Sequence, residues 1–136
     1  MLKFFVRATT LKPWQCIMEQ IQDLKIRTKA FALRIIKMYS GLPRSSPVAQ
    51  VLGRQVLRSG TSVGANQREA SRGRSKAEFT AKIGDCLREI EETEYWLELL
   101  TECGCVTPAK MERLLDETRQ LIAIYTTINK RSKHVF

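Results

Sequence analysis

Between residues 23 and 40, Leu24, Phe31, Ile35 and Met38 recur at intervals that place them on one side of a helix, while Lys25, Arg27, Lys29, Arg34 and Lys37 fall mostly elsewhere. Gly41 and Pro43 follow in the order expected of a helix C-terminus. A second run opens at Pro47, a residue suited to a first helical turn, and carries Val48, Leu52, Val56, Ser59, Val63 and Ala70 on one face as far as about residue 71. Arg54, Arg58, Arg68 and Arg72 fall on the opposite face of the same helix. The third run begins with Ser75-Lys-Ala-Glu78, a capping-box pattern, and extends to Cys103 with Phe79, Ile83, Cys86, Ile90, Leu97 and Leu100 along one seam. Gly104 stops it. Thr107-Pro108 then supplies an N-cap and a first-turn proline, and Met111, Leu114, Leu115, Thr118, Leu121, Ile122, Tyr125 and Ile128 trace an apolar face to about Lys130.

No strand-like alternation competes with these runs. Four helices joined by short connections run antiparallel to their sequence neighbours, so the expected fold is all-α, an antiparallel up-down-up-down four-helix bundle. The bundle is expected over residues 21–131, with 1–20 a disordered or mis-called leader and 132–136 a frayed tail.

Two positions cut across the helical pattern. Gly60 and Gly64 lie inside the second run, and each disfavours a helix by about 1 kcal/mol relative to alanine. Either a neighbouring helix, of this chain or of another subunit, packs too closely there for side chains, or tertiary packing offsets a tolerated cost.

Composition adds partners to this picture. The formal charge is +9 and is unevenly placed: residues 1–41 and 42–76 each carry +6, residues 77–103 carry −6, and residues 104–136 carry +3. Such a surplus attracts polyanions, nucleic acid above all. The acidic third run offers the arginines an alternative partner inside the protein. Asp85, Glu89 and Glu92 form its stripe, flanked by Glu78 and Trp96. Pairing between that stripe and the arginines, within a protomer or across a subunit boundary, would set register more than it would add stability.

Catalysis needs a constellation, and the sequence holds none of the usual ones. No glutamate has the Glu-x-x-His partner of a di-metal bundle site, no GxxxxGK loop occurs, and the one histidine, His134, lies close to the end of the sequence. The cysteines, Cys16, Cys86, Cys103 and Cys105, are too sparse for a secreted disulfide framework and fit reduced thiols in a cytoplasm. Neither a metal nor another cofactor is expected, and no segment is long and apolar enough to be a membrane span. The chain therefore reads as a non-enzyme. Its main functional lead is the cationic group Arg54, Arg58, Arg68, Arg72, Arg74 and Lys76, whose side chains can take phosphates. Aromatic residues are not interleaved with these cations, so binding is expected to follow backbone and shape.

The segments DLKIRTKAFALRIIKMY, residues 23–39, and RSGTSVGANQREASRGRSKAEF, residues 58–79, resemble those of a bacterial family of four helix bundle proteins, also described as proteins of 23S ribosomal RNA intervening sequences. Arg58, Ser59, Ser62, Val63, Asn66, Glu69, Glu78 and Phe79 match the types expected in the second signature. Gln67 and Ala70 stand where isoleucine and glycine are usual. The resemblance covers about residues 23–130, and Met18 sits where such proteins tend to start.

The resemblance implies a ring-shaped homopentamer, similar to the basic accessory variability proteins of diversity-generating retroelements, which associate with a reverse transcriptase and with RNA or DNA. In such an assembly Gly60, Gly64, Asn66, Glu69, Asp85, Glu89, Glu92 and Trp96 are candidates for helix or subunit contacts. The competing expectation is a structural or protein-interaction module whose arginines serve those contacts alone.

Overall fold

A computed structural model of the chain describes residues 13–135 as four helices: α1 (Pro13–Ser40), α2 (Pro47–Ser71), α3 (Lys76–Glu102) and α4 (Pro108–Val135). Residues 1–12 and Phe136 lie outside the described residues, and with them most of the span read from the sequence as a leader. Each helix packs on its sequence neighbours, and α4 closes the ring of four against α1 more lightly. The architecture is the expected all-α antiparallel bundle.

Local chemistry sets the ends. Ser46 caps α2 by accepting the amide of Ala49 at 3.2 Å, and Ser75 caps α3 by accepting that of Glu78 at 3.1 Å. The Glu78 carboxylate reaches back, but to the amide of Arg74 at 2.8 Å, one residue earlier than a strict capping box requires. Gly104 has φ +86°, and the amides of Gly104 and Val106 close the end of α3 onto Thr101 and Leu100, both at 3.1 Å. α1 begins at Pro13, well before the expected residue 23. α4 continues past Lys130 to Val135, because Ser132 is fully buried and its hydroxyl donates to the Asn129 carbonyl.

The core is the stripe read from periodicity in α1, α3 and α4: Leu24, Phe31 and Ile35 meet Ile83, Cys86, Ile90, Leu97 and Leu100, with Met111, Leu121, Tyr125 and Ile128 behind them. In α2 the stripe turns. Val48, expected inside, is 54 % exposed and Leu52 only half-buried, whereas Ala49 and Gly53 are buried. Bulky side chains of α1, and Leu42 in the turn that follows it, already fill the space there. A Cβ on Gly53 would stand 2.5 Å from Leu42 Cδ1, and one on Gly60 would stand 2.8 Å from Ile35 Cγ1. A Cβ on Gly64 would stand 3.4 Å from Thr28 Oγ1 of α1. The small residues of α2 thus admit α1 of the same chain at close range.

Several polar groups are buried in this interior. Thr93 donates to Ser59 at 2.8 Å, tying α3 to α2, and the Tyr125 hydroxyl donates to Gln67 Oε1 at 2.5 Å, tying α4 to α2. Burial raises the pKa of the Tyr125 phenol and pushes the Cys86 thiol up to about 12, so both stay protonated near neutrality. The Gln67 amide nitrogen finds no partner among the described residues. That glutamine occupies the position where the resembling family is expected to carry isoleucine.

Candidate nucleic-acid interface

The charged side chains divide into a paired waist and two unpaired ends. At the waist, Arg58 of α2 engages Glu89 at 3.5 Å and makes a closer contact with Glu92 of α3, whose carboxylate also accepts the Trp96 indole N–H at 3.1 Å. Lys82 pairs with Glu69 at 2.5 Å and with Asp85 at 3.7 Å, and Arg88 pairs with Asp85 at 2.5 Å. Arg119 of α4 bridges Glu94 and Glu98 of α3 at 2.9 and 3.6 Å. Across the wider α1–α4 seam, Arg27 grips Glu117 with two bonds of 2.6 and 2.9 Å and adds Gln120 at 2.8 Å. Hydrogen bonding to Glu117 raises the Arg27 pKa, and bonding to Glu69 raises that of Lys82. Most of the acidic stripe is thereby satisfied within one protomer.

At the α2–α3 end the pattern changes. Arg68 and Arg72 line a recess of about 510 Å³ with Glu69, Glu78 and Lys82. Its two carboxylates are engaged by other donors: Glu69 holds Lys82, and Glu78 holds the Arg74 amide. No carboxylate among the described residues lies within salt-bridge reach of Arg68, Arg72, Arg74 or Lys76, nor of Arg54 farther up α2, and all five are exposed. Both Arg72 and Arg74 sit where α2 ends and the chain turns, so their side chains project from a helix terminus.

The antiparallel order brings a second set of cations to this end. Lys130, Arg131 and Lys133 occupy the last turns of α4, are exposed and have no acidic partner among the described residues. The sequence reading placed Lys130 and Arg131 at the end of the bundle and Lys133 in the frayed tail, and named none of them as a site residue. The signal was the topology itself, because a fourth antiparallel helix must finish beside the α2–α3 turn.

Among the residues read from the sequence as contacts, Gly60 and Gly64 face α1, Glu69 and Asp85 hold Lys82, and Glu89 and Glu92 hold Arg58. Trp96 packs edge-on against Tyr95, with ring centroids 5.1 Å apart. Asn66 is half-buried on α2. An apolar strip stays open to solvent: Ile26, Leu33 and Ile36 on α1, at 74, 58 and 43 % exposure, with Val48 and Val51 on α2.

No group of three or more His, Cys, Asp or Glu side chains among the described residues is arranged to hold a metal ion, and no helix is long and apolar enough to cross a membrane. The fold and this surface define a basic, all-α four-helix bundle. More narrowly, the chain belongs to the 23S rRNA-intervening sequence protein family, whose model matches residues 22–127. It is similar to a protein of unknown function from the S23 ribosomal protein family of Bacteroides thetaiotaomicron, at 36 % identity and a TM-score of 0.75 over 81 % of this chain and 97 % of that one. No curated protein matches it.

Proposed function

We propose that the chain is a non-enzymatic, self-assembling cytoplasmic bundle that binds nucleic acid through backbone phosphates at its α2–α3 end, with Arg68, Arg72, Arg74 and Lys76 as the principal contacts and Arg54, farther up α2, adding to the cationic face. Arg58 contributes charge but is already held by Glu89 and Glu92. One observation carries the reading: the cations of this end lack carboxylate partners, while those of the waist have them. Guanidinium groups free of carboxylates bind phosphates bidentately, and several acting together give strong, salt-sensitive affinity. The family's description, which names ribosomal RNA, favours RNA as the polyanion.

The exposed strip Ile26, Leu33 and Ile36 favours self-assembly, since a second copy would cover apolar surface that a monomer leaves wet. A homopentamer that repeats the basic end around a ring, serving as accessory to a nucleic-acid enzyme such as a reverse transcriptase, is the assembled form we infer. The second reading, an interaction module without nucleic acid, draws on the same strip.

Binding of RNA and DNA by the purified protein at low salt, with light scattering alongside, tests the two. The first reading expects binding that weakens steeply with salt and an Arg68→Glu/Arg72→Glu variant that stays assembled and no longer binds. Absence of binding at low salt removes it. A variant that dissociates supports the second.

A further inference from the structure

The opposite end of the bundle holds a second cationic cluster, built by different helices. A cleft of about 560 Å³ opens where the last turns of α1 meet the first turns of α4, the pair of neighbouring helices that touch least. Arg34 and Lys37 of α1 and Lys110 and Arg113 of α4 line it. None of the four has a carboxylate within salt-bridge distance among the described residues, and all are exposed. Two of the nearby acids are engaged by other groups: Glu117 is held by Arg27, and Asp116 accepts the Gln120 amide at 2.8 Å. Glu112 and Asp116 line a separate recess, which Arg34 and Arg113 also border.

Beneath the cations the cleft is apolar. Met38, Leu42, Val106 and Leu114 form its floor, with Leu42 and Leu114 almost wholly buried at 5 and 6 % exposure. A concave site with a greasy base and a few convergent charged groups suits a small ligand better than a duplex, which would meet a convex, hydrated surface. Four cations around one cleft, none of them in a salt bridge among the described residues, call for a ligand with several negative charges, and the apolar floor calls for a flat ring.

We propose that this cleft binds a nucleoside di- or triphosphate, its phosphates held by Arg34, Lys37, Lys110 and Arg113 and its base lying on Met38 and Val106. The site shares no residue with the α2–α3 end, so it stands or falls apart from the nucleic-acid reading.

Calorimetric titration of the full chain at low salt with ATP, GTP and inorganic tripolyphosphate tests it. The nucleotides are expected to bind more tightly than tripolyphosphate. An Arg34→Gln/Lys110→Gln variant should lose about tenfold or more in nucleotide affinity, as removal of two charge-assisted contacts requires. Arg68→Gln/Arg72→Gln should leave that affinity unchanged. The proposal is overturned if no nucleotide binds, if the Arg34/Lys110 variant binds as the wild type does, or if the Arg68/Arg72 variant loses nucleotide as well. Equal affinity for tripolyphosphate and nucleotide would overturn the nucleoside assignment. All four substitutions are at exposed positions, and an unchanged circular dichroism melt separates lost binding from lost folding.

Discussion

The waist of the bundle and its α2–α3 end use the same side chains to opposite effect. At the waist, Arg58, Lys82, Arg88 and Arg119 each lie against one or two carboxylates, and the acids they pair with outnumber them. At the end, Arg68, Arg72, Arg74 and Lys76 have no such partner, though α3 passes beside them. The difference follows from where α3 places its acids. Its first turns hold Lys76 and Glu78, whose carboxylate takes the Arg74 amide, and the carboxylate-rich stretch begins only at Asp85, which pairs with Lys82 and Arg88. Charge composition alone does not distinguish a binding surface from an ion-pair lattice; the register between two helices does.

If that division is real, changes at the end alter binding and changes in the waist or interior alter stability. The largest effect is expected from Arg68→Glu/Arg72→Glu, which should weaken RNA binding tenfold or more at low salt, whereas Arg58→Gln should change it little. Filter binding on the two variants side by side checks this.

Next come the interior contacts. Tyr125→Phe removes the hydroxyl that satisfies Gln67 and should lower stability by about 1–3 kcal/mol, with RNA affinity of the folded protein unchanged. Adding Gln67→Leu should recover much of that loss, because the buried amide goes with its partner. Urea denaturation measures both.

Gly60→Ala and Gly84→Ala make a third, internally controlled pair. A methyl at Gly60 would meet Ile35 at 2.8 Å, whereas one at Gly84 meets nothing within 4 Å. The first should destabilise by about 1–3 kcal/mol and the second stabilise by about 0.5–1 kcal/mol. Thermal melts of the two variants against the wild type would show opposite signs.

Smallest of all is the waist pair itself: a double-mutant cycle on Arg58 and Glu92 should give a coupling of only about 0.2–1 kcal/mol, because the arginine is half exposed.

Much of this was legible in the sequence. The four helices, the caps at Ser75 and Thr107 and the stop at Gly104 rest on local chemistry, which periodicity and residue type report directly. The start of α2 was not, because Val48 and Leu52 looked like core while Ala49 and Gly53 took the buried places; Val56, Ser59, Val63 and Ala70 farther along are buried as read. Only Tyr39 of α1 and Leu42 of the turn after it, which fill the space against Gly53, decide that. The arginines of the candidate site were visible as a group, but which of them are free depended on the offset of Asp85, Glu89 and Glu92 along a different helix. Lys130, Arg131 and Lys133, and the four cations of the second cleft, join their clusters through topology, which no local pattern records.

The salt dependence of RNA affinity tests the central claim most directly, because each phosphate neutralised by a free cation adds about 0.7–0.9 to the slope of log K against log salt. Measured for the wild type, for Arg68→Gln/Arg72→Gln and for Arg58→Gln, the slope should fall by more than one unit in the end variant and stay near the wild-type value in the waist variant. Equal slopes for all three proteins would contradict the account, since the unpartnered arginines would then take no part in holding the polyanion.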